Sequence, residues 1–305
     1  MVEENKKIVR TLSSDGGKFF VSHFDILGYK SFIQSNPPIN ILVSMLRLAN
    51  IQESQQDGKL NLFYAYYDTS TGQQIAQVQP DPAIKKLHFT NYSDTIIMYF
   101  KATDDNAENL RLFKALCKTS NFYISKLMIN SQVPEVKRLA LRCGIAYGPG
   151  LICEELGIHA GQVFIDAYEL CENQSWMGGS IHSNVPSEYY SPLIGYNNEL
   201  FPYEEKIPIK KGCSEKPKYA LNWVNSHPAL PPWYPKDKRN RDGPLLLDIG
   251  GHVIKFNWES KNNYEKANNT LNFIVDVDEE WNRQLGIQKS TEENLAFPTW
   301  YKKLK

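Results

Sequence analysis

The chain has 305 residues, which is enough for one large domain or two smaller ones. Hydrophobic residues make up 42% and charged residues 22% of it, values that exclude a disordered or collagen-like chain. The 34 basic residues balance the 34 acidic residues, so no overall field draws the protein to nucleic acid or to an anionic membrane. We therefore expect a globular protein with neither a nucleic-acid nor a membrane partner.

The N-terminal residues and the cysteines indicate a cellular compartment. Residues 1–17 are polar, and no stretch of the chain approaches the ~20 apolar residues of a membrane span. The five cysteines are dispersed and form no CxxC pair, which predicts buried thiols rather than a disulfide framework or a zinc site. We expect a cytoplasmic protein. The cysteines are Cys117, Cys143, Cys153, Cys171 and Cys213.

The chain after the polar tail predicts a strand, a turn and helices, in that order. Residues 19–24 are aromatic and β-branched, which favours a buried strand. The strand ends at Asp25–Gly28, and a short helix is expected from Tyr29 to Gln34. A second helix is expected from Ile41 to Ile51, where apolar residues recur at helical spacing.

Residues 52–82 are rich in Gln, Asp and Gly and predict a surface insertion with one weak strand near Leu60–Tyr66. Two β-rich runs follow, Ile84–Tyr92 and Thr95–Phe100. Only Ser93 and Asp94 separate these runs, which is the length of a tight hairpin turn. The sequence therefore predicts a β-hairpin with Asp94 at its tip.

The next elements complete an α+β pattern. A helical period runs from Asn106 to Ile129, a strand is expected at Arg138–Tyr147, and a helix at Gln162–Glu172. The order is β, α, β, β, α, β, α, which is an α+β arrangement. Beyond these elements the composition shifts to Pro, Asn, Tyr and Trp, with short strands at Tyr219–Val224 and Leu245–Ile249 and a helix near Trp258–Leu271.

Two aspartates stand where strands end. Asp25 follows the first apolar strand, and Asp94 lies at the hairpin tip. If the hairpin lies beside the first strand, the two carboxylates converge, and with a backbone carbonyl they suit Mg²⁺ or Mn²⁺. The ordinary alternatives are a helix cap for Asp25 and a plain turn residue for Asp94.

Four segments occur in this order along the chain: FDILGY (24–29), YSDT (92–95), LRCGIAYG (141–148) and GQVFIDAYEL (161–170). They resemble the metal-binding and core motifs of class III nucleotidyl cyclases. Their residues are more similar still to those of the pyrimidine cyclases of bacterial Pycsar anti-phage systems. The C-terminal extension, with the segment YALNW, is also similar to that of these cyclases.

The resemblance implies a ferredoxin-like class III cyclase core with a C-terminal α+β extension. It divides the chain into a tail at 1–17, a catalytic domain at 18–184 and an extension module at 185–305. It implies a homodimer that converts UTP or CTP to a 3′,5′-cyclic monophosphate and pyrophosphate. Such a second messenger would activate a separate effector protein, without direct binding, in antiviral defence.

The resemblance also implies a set of site residues. Asp25, Asp94 and the carbonyl of Ile26 would hold two Mn²⁺ or Mg²⁺ ions. The backbone amides of Leu27, Gly28 and Tyr29 would contact phosphate oxygens.

The departures from the family pattern concern the base and the transition state. Thr90 and Ile158 stand where adenylate cyclases have a purine-reading Lys and Asp, which favours a pyrimidine. Ile165 and Glu169 stand where the family helix offers Asn and Arg. Arg142, a lone charge in an apolar strand, is the candidate catalytic substitute for that Arg, unless it forms a buried ion pair or lies at an edge.

Two other functions fit parts of the pattern. A nucleotide-sensing module would keep the fold and metal site without turnover, as Ile165 and Glu169 favour. A palm-type polymerase also pairs aspartates on this fold, but it needs a basic template groove, which the neutral net charge disfavours.

Overall fold

The computed structural model describes most of the chain. The described residues are 16–45, 63–68, 73–78, 82–128, 139–153, 156–195, 198–226, 246–249, 252–255 and 261–284. The predicted tail therefore lies outside these residues except for its last two positions, and so does the end of the second predicted helix.

The described strands form one large sheet and two separate hairpins. In chain order they are β1 (Gly16–Ile26), β2 (Phe63–Asp68), β3 (Gln73–Val78), β4 (His88–Tyr92), β5 (Thr95–Lys101), β6 (Leu141–Cys153), β7 (Ile158–Ala160), β8 (Gly178–Ile181), β9 (Leu200–Pro202), β10 (Tyr219–Leu221), β11 (Leu246–Ile249) and β12 (His252–Lys255).

The described helices connect or cover these strands. They are α1 (Tyr29–Ser35), α2 (38–45), α3 (Asn106–Met128), α4 (Gln162–Asn173), α5 (Ser187–Tyr190) and α6 (Lys261–Gln284). Short 3₁₀ turns lie at Ile84–Lys86, Ser191–Leu193 and Trp223–Ser226.

The order of the large sheet defines the core topology. Its strands run β4-β5-β1-β6-β8-β10-β9, with β7 folded back onto β6. The first four are all antiparallel, and α1 and α3 lie in the connections from β1 to β4 and from β5 to β6. This is the strand order of a βαββαβ ferredoxin-like unit. The predicted α+β class and ferredoxin-like core are confirmed.

The two faces of β1 bury different partners because side chains alternate along a strand. Even-numbered residues face α3, and the Ser22 hydroxyl lies 3.0 Å from the Ser120 hydroxyl of that helix. Odd-numbered Phe19 and Val21 belong to a second cluster that includes Val163 of α4. Helix α4 therefore covers the face of the sheet opposite α3.

Two predicted elements differ in their bounds. Ile84 starts a 3₁₀ turn instead of a strand, and Ile84 and Leu87, three residues apart, are both buried, as 3₁₀ spacing allows. Strand β6 continues to Cys153, beyond the predicted end at Tyr147. The reason is that β1 pairs with β6 along its whole length, and the last pair is Gly16 with Leu151.

The C-terminal segment joins the same sheet and core. Strands β9 and β10 extend the sheet beyond β8. Helix α6 is longer than the predicted helix because Thr270, Phe273 and Val277, spaced three and four residues apart, are buried. The Phe273 ring meets the Trp176 ring edge-on at 4.9 Å. The division at residue 184 stays a prediction, since the described parts on either side share one core.

Two further expectations concern helices and thiols. Within the described part of the chain, no helix is long and apolar enough to cross a membrane. All five cysteines are free thiols, and four of them are buried.

Candidate active site

The two candidate metal aspartates lie at the same end of neighbouring strands. Asp25 pairs with Thr95 in the β1–β5 register. One residue further, the Ile26 N–H donates a 3.0 Å hydrogen bond to the Asp94 carbonyl. Ser93 has φ 55, an uncommon conformation for a residue other than glycine, and the turn it makes sets Asp94 beside the end of β1. The predicted juxtaposition of hairpin and first strand is therefore present.

Arg142 lies on β6, the neighbour of β1 on the side away from β5, and pairs with Asp25 in the register of these two strands. Its Nε and Nη2 donate to the same carboxylate oxygen, Asp25 Oδ2, at 3.1 and 2.6 Å. The side chains are 6% and 17% exposed, respectively, so water screens the pair little. The register of two strands thus builds a two-donor, largely buried ion pair.

The rest of the Arg142 guanidinium is also engaged. Nη1 donates to the carbonyls of Glu172 and Gln174 at 2.8 and 3.4 Å, and Nη2 donates to Glu172 Oε1 at 2.5 Å. A guanidinium has five N–H groups, and these contacts with the two to Asp25 account for all of them. The buried ion pair that sequence reasoning left open is present. A role for Arg142 on substrate stays a prediction, and it requires an exchange of partners.

The donor atoms left at this site fit a divalent cation. Among the described residues, neither Asp25 Oδ1 nor the Asp94 carboxylate has a hydrogen-bond donor, and both side chains are partly buried. Mg²⁺ is commonly held by one or two carboxylates together with substrate phosphates. No group of three or more acidic, His or Cys ligands occurs in the described ranges, so phosphate or water oxygens would have to complete the shell.

One backbone amide of the turn after β1 already has a hydrogen-bond partner within the fold. The Leu27 amide donates to the Ala140 carbonyl at 2.8 Å, so it is not available to a phosphate without a change of partner. Gly28 has φ 72, and an added Cβ would meet nothing within 4 Å, so backbone conformation rather than space favours glycine. Tyr29 starts α1. Phosphate binding by these three residues stays a prediction.

The two predicted base-contacting residues, Thr90 and Ile158, lie in β4 and β7. Thr90 Oγ1 in β4 is 3.5 Å from Nε2 of His159, which follows Ile158 in β7. The Tyr92 hydroxyl donates to the Gly157 carbonyl at 2.6 Å and ties the two strands together. Ile158 is 41% exposed. Sequence reasoning missed His159, since nothing in the chain showed that β7 returns towards β4.

Helix α4 brings one further acidic residue to the site. Glu172, near its C-terminal end, contacts Arg142 with both its carboxylate and its carbonyl. Ile165 and Glu169 are exposed on the same helix. No sequence motif marked Glu172, and its only signal was its position one turn beyond Glu169.

The C-terminal helix brings a lysine into the same electrostatic environment. Burial lowers the pKa of Lys266, and the positive charges of Arg142 and Lys210 lower it further, against the opposing effect of Asp25 and Glu172. The helix is held there by the Thr270 hydroxyl, which accepts a 2.8 Å hydrogen bond from the Met177 amide.

His23 lies on β1 two residues before Asp25 and faces α4. Burial lowers the pKa of His23 to about 4, against the raising effect of Asp25, so the ring is neutral at physiological pH. Its Nδ1 is buried without a hydrogen-bond partner among the described residues. The ring lies edge-on to Tyr168 at 5.3 Å.

Comparisons with known proteins found structural similarity only. No protein family matches the sequence, and no curated protein matches it. The structure is similar to the guanylate cyclase domain of RhGC from Catenaria anguillulae in complex with GTP, with 8% identity, a TM-score of 0.41, and coverage of 67% of this chain and 96% of that one. It is similar to the adenylyl cyclase CyaB from P. aeruginosa, with 12% identity, a TM-score of 0.41, and coverage of 68% and 94%.

A third similar structure is the monomeric guanylyl cyclase domain of the RhoGC fusion protein from the aquatic fungus Blastocladiella emersonii. The identity is 8% and the TM-score 0.41, over 67% of this chain and 94% of that one. All three are nucleotidyl cyclase domains. Similarity at this level does not by itself assign an activity.

Proposed function

We propose that the protein is a nucleotide cyclase that converts a pyrimidine nucleoside triphosphate to its 3′,5′-cyclic monophosphate and pyrophosphate. The observation that carries the proposal is the meeting of Asp25 and Asp94 at one end of β1 and the β4–β5 hairpin, joined by the Ile26 to Asp94 hydrogen bond. Asp25 Oδ1 and the Asp94 carboxylate have no donor among the described residues, and this set of oxygen atoms suits a divalent ion with a triphosphate.

In this reaction the 3′-oxygen of the ribose attacks the α-phosphorus, the 3′-hydroxyl loses its proton, and pyrophosphate leaves. Asp25, Asp94 and the Ile26 carbonyl would hold two Mg²⁺ or Mn²⁺ ions, which supply positive charge to the phosphates. Arg142 fixes one Asp25 oxygen by two hydrogen bonds and leaves the other without a donor among the described residues. The protein would therefore contribute a carboxylate whose orientation is fixed before a cation binds.

Pyrimidine selectivity is proposed from Thr90 and Ile158, which stand at the base-reading positions of the family that the sequence resembles. A small hydroxyl and an aliphatic side chain replace a Lys and Asp pair, and they leave room for a compact base. Thr90 lies in β4 two residues before its end at Tyr92, and Asp94 lies in the turn that follows, so the two positions are separated by no more than about 13 Å, the span of four extended residues. A nucleotide can span that separation between its base and its phosphates. The choice between UTP and CTP stays open.

A homodimer is part of the proposal, because two domains build the site in the family that the sequence resembles. The exposed apolar side chains of β6, of the turn before β7, of β7 and of α4 support it, since exposed apolar surface of this kind marks interaction sites. They are Leu151, Leu156, Ile158, Ile165 and Tyr168. The role in antiviral defence and the separate effector rest on the sequence resemblance alone.

The proposal is tested by incubating the purified protein with ATP, GTP, CTP or UTP and Mn²⁺, and by resolving the products. We expect a cyclic pyrimidine monophosphate and pyrophosphate in equal amounts. Cyclic AMP or cyclic GMP as the dominant product would contradict the pyrimidine assignment but would agree with the proposed cyclase activity. No cyclic product from any nucleotide would contradict the cyclase.

Matched variants test the metal assignment. We expect Asp25→Asn and Asp94→Asn each to abolish product formation while the protein stays folded, because a neutral amide is a poor Mg²⁺ ligand. Asp276→Asn is the control, since Asp276 lies on α6 and pairs with Lys206. Turnover near wild type at saturating Mn²⁺ in either site variant would show that the two-metal assignment is wrong.

A nucleotide-sensing module without turnover is the second candidate. One observation favours it: all N–H groups of Arg142 are engaged within the fold, while Ile165 and Glu169 occupy the helix positions expected to face the transition state. Calorimetric binding of a nucleoside triphosphate without product formation would support this function instead.

A further inference from the structure

We propose that Glu172 is a positioning residue that acts through Arg142 to keep Asp25 able to hold a divalent cation. This inference rests on the proposed function, because it concerns the same metal site. Neither the family resemblance nor the sequence pattern assigned Glu172 a role.

The geometry is a three-member chain of side chains. A single nitrogen, Nη2 of Arg142, donates to Asp25 Oδ2 at 2.6 Å and to Glu172 Oε1 at 2.5 Å. The two carboxylate oxygens therefore lie within about 5 Å of each other and share one donor nitrogen. Both bonds from Arg142 to Asp25 go to Oδ2, so Oδ1 has no hydrogen-bond donor among the described residues.

Glu172 is held in place by the close approach of α4 to the sheet. A Cβ built at Gly144 in β6 would lie 2.4 Å from the Ala167 carbonyl oxygen and 2.7 Å from the Cys171 amide nitrogen. Only glycine at this position allows the helix to lie so near. The Glu172 carbonyl also accepts a hydrogen bond from Arg142 Nη1 at 2.8 Å, so the backbone and the side chain of Glu172 both bind the same guanidinium group.

The electrostatic consequence concerns how the charge of Arg142 is shared. With Glu172 ionised, the trio carries a net charge of −1, and Arg142 neutralises only part of Asp25. Without the Glu172 carboxylate, the positive charge of Arg142 balances the negative charge of Asp25 alone, and the pair has no net charge. A neutral pair attracts a divalent cation less strongly than a negatively charged trio does.

The test measures cation binding by the full-length protein without nucleotide, so it needs no turnover. Mn²⁺ alone is titrated into the protein and followed by water-proton relaxation. We expect Glu172→Gln to raise the Mn²⁺ Kd roughly five- to tenfold, the effect of one charge at this separation. Glu172→Asp keeps the charge and restores most of the affinity. Glu204→Gln is the control, because Glu204 is exposed and pairs with Lys218.

Activity gives a second readout that a purely structural role would not produce. Glu172→Gln should need more Mn²⁺ for half-maximal rate, yet reach nearly the wild-type kcat at saturating Mn²⁺. A lower kcat at all Mn²⁺ concentrations together with an unchanged Mn²⁺ Kd would overturn the positioning role.

The outcomes separate the two proposals. If Asp25→Asn loses Mn²⁺ binding but Glu172→Gln binds like wild type, the metal site stands and the role of Glu172 is wrong. If the wild-type protein binds no Mn²⁺ at millimolar concentrations, both are wrong. If Glu172→Gln weakens Mn²⁺ binding but no nucleotide is cyclised, the role of Glu172 stands and the cyclase does not.

Discussion

Removing the Arg142 side chain should destabilise the folded protein strongly. Arg142→Ala leaves the Asp25 and Glu172 carboxylates close together without the cation between them. It also removes the donor to the carbonyls of Glu172 and Gln174. The loss concerns a side chain that is only 6% exposed, so water does not take its place easily.

The magnitude follows from the burial of the cluster. Breaking a buried ion pair by removing one partner costs about 3–5 kcal/mol, and the lower end applies because the Glu172 side chain is 33% exposed. We expect the free energy of unfolding to fall by about 3 kcal/mol. In a chain of 305 residues that corresponds to a decrease in Tm of about 5 °C.

The assay is urea unfolding followed by the fluorescence of the buried Trp176 and Trp223, with Tm from calorimetry on the same preparation. Arg283→Ala is the control, because Arg283 is 72% exposed and pairs with Glu280 on the surface of α6. If Arg142→Ala and Arg283→Ala unfold at the same urea concentration, the ion-pair cluster does not hold the fold together. A large loss of kcat without a loss of stability would instead place Arg142 on the substrate.

Two other predictions test the packing of the core. Gly144→Ala should destabilise the protein by about 1–3 kcal/mol, because its Cβ would meet the backbone of α4, whereas Gly148→Ala, whose Cβ would lie 3.6 Å from Val163, should change the urea midpoint little. In the native protein, only the Cys213 thiol should react quickly with a disulfide reagent at pH 8, since the other four cysteines are buried. Burial also raises the pKa of Cys143 to about 12, which keeps that thiol protonated. Rapid reaction of two or more thiols would contradict this packing.

Local patterns were sufficient for the elements of the ferredoxin-like core. The apolar run at 19–24 lies within β1, the Ser93-Asp94 turn joins β4 and β5, and helical periods gave α3 and α4 within a few residues. These elements depend on hydrophobic periodicity and turn chemistry, which are properties of neighbouring residues. The paired aspartates were predictable for the same reason, since each marks the end of a local element.

Tertiary structure alone decided what surrounds the aspartates. Arg142 is 117 residues from Asp25 in the chain, and only the register of β1 against β6 sets them opposite each other. Glu172 reaches the pair because α4 lies close against the sheet at Gly144, and His159 reaches Thr90 because β7 folds back over the hairpin. These contacts join residues far apart in sequence. Strand register and helix approach, which local periodicity does not encode, determine which charges and donors meet at the site.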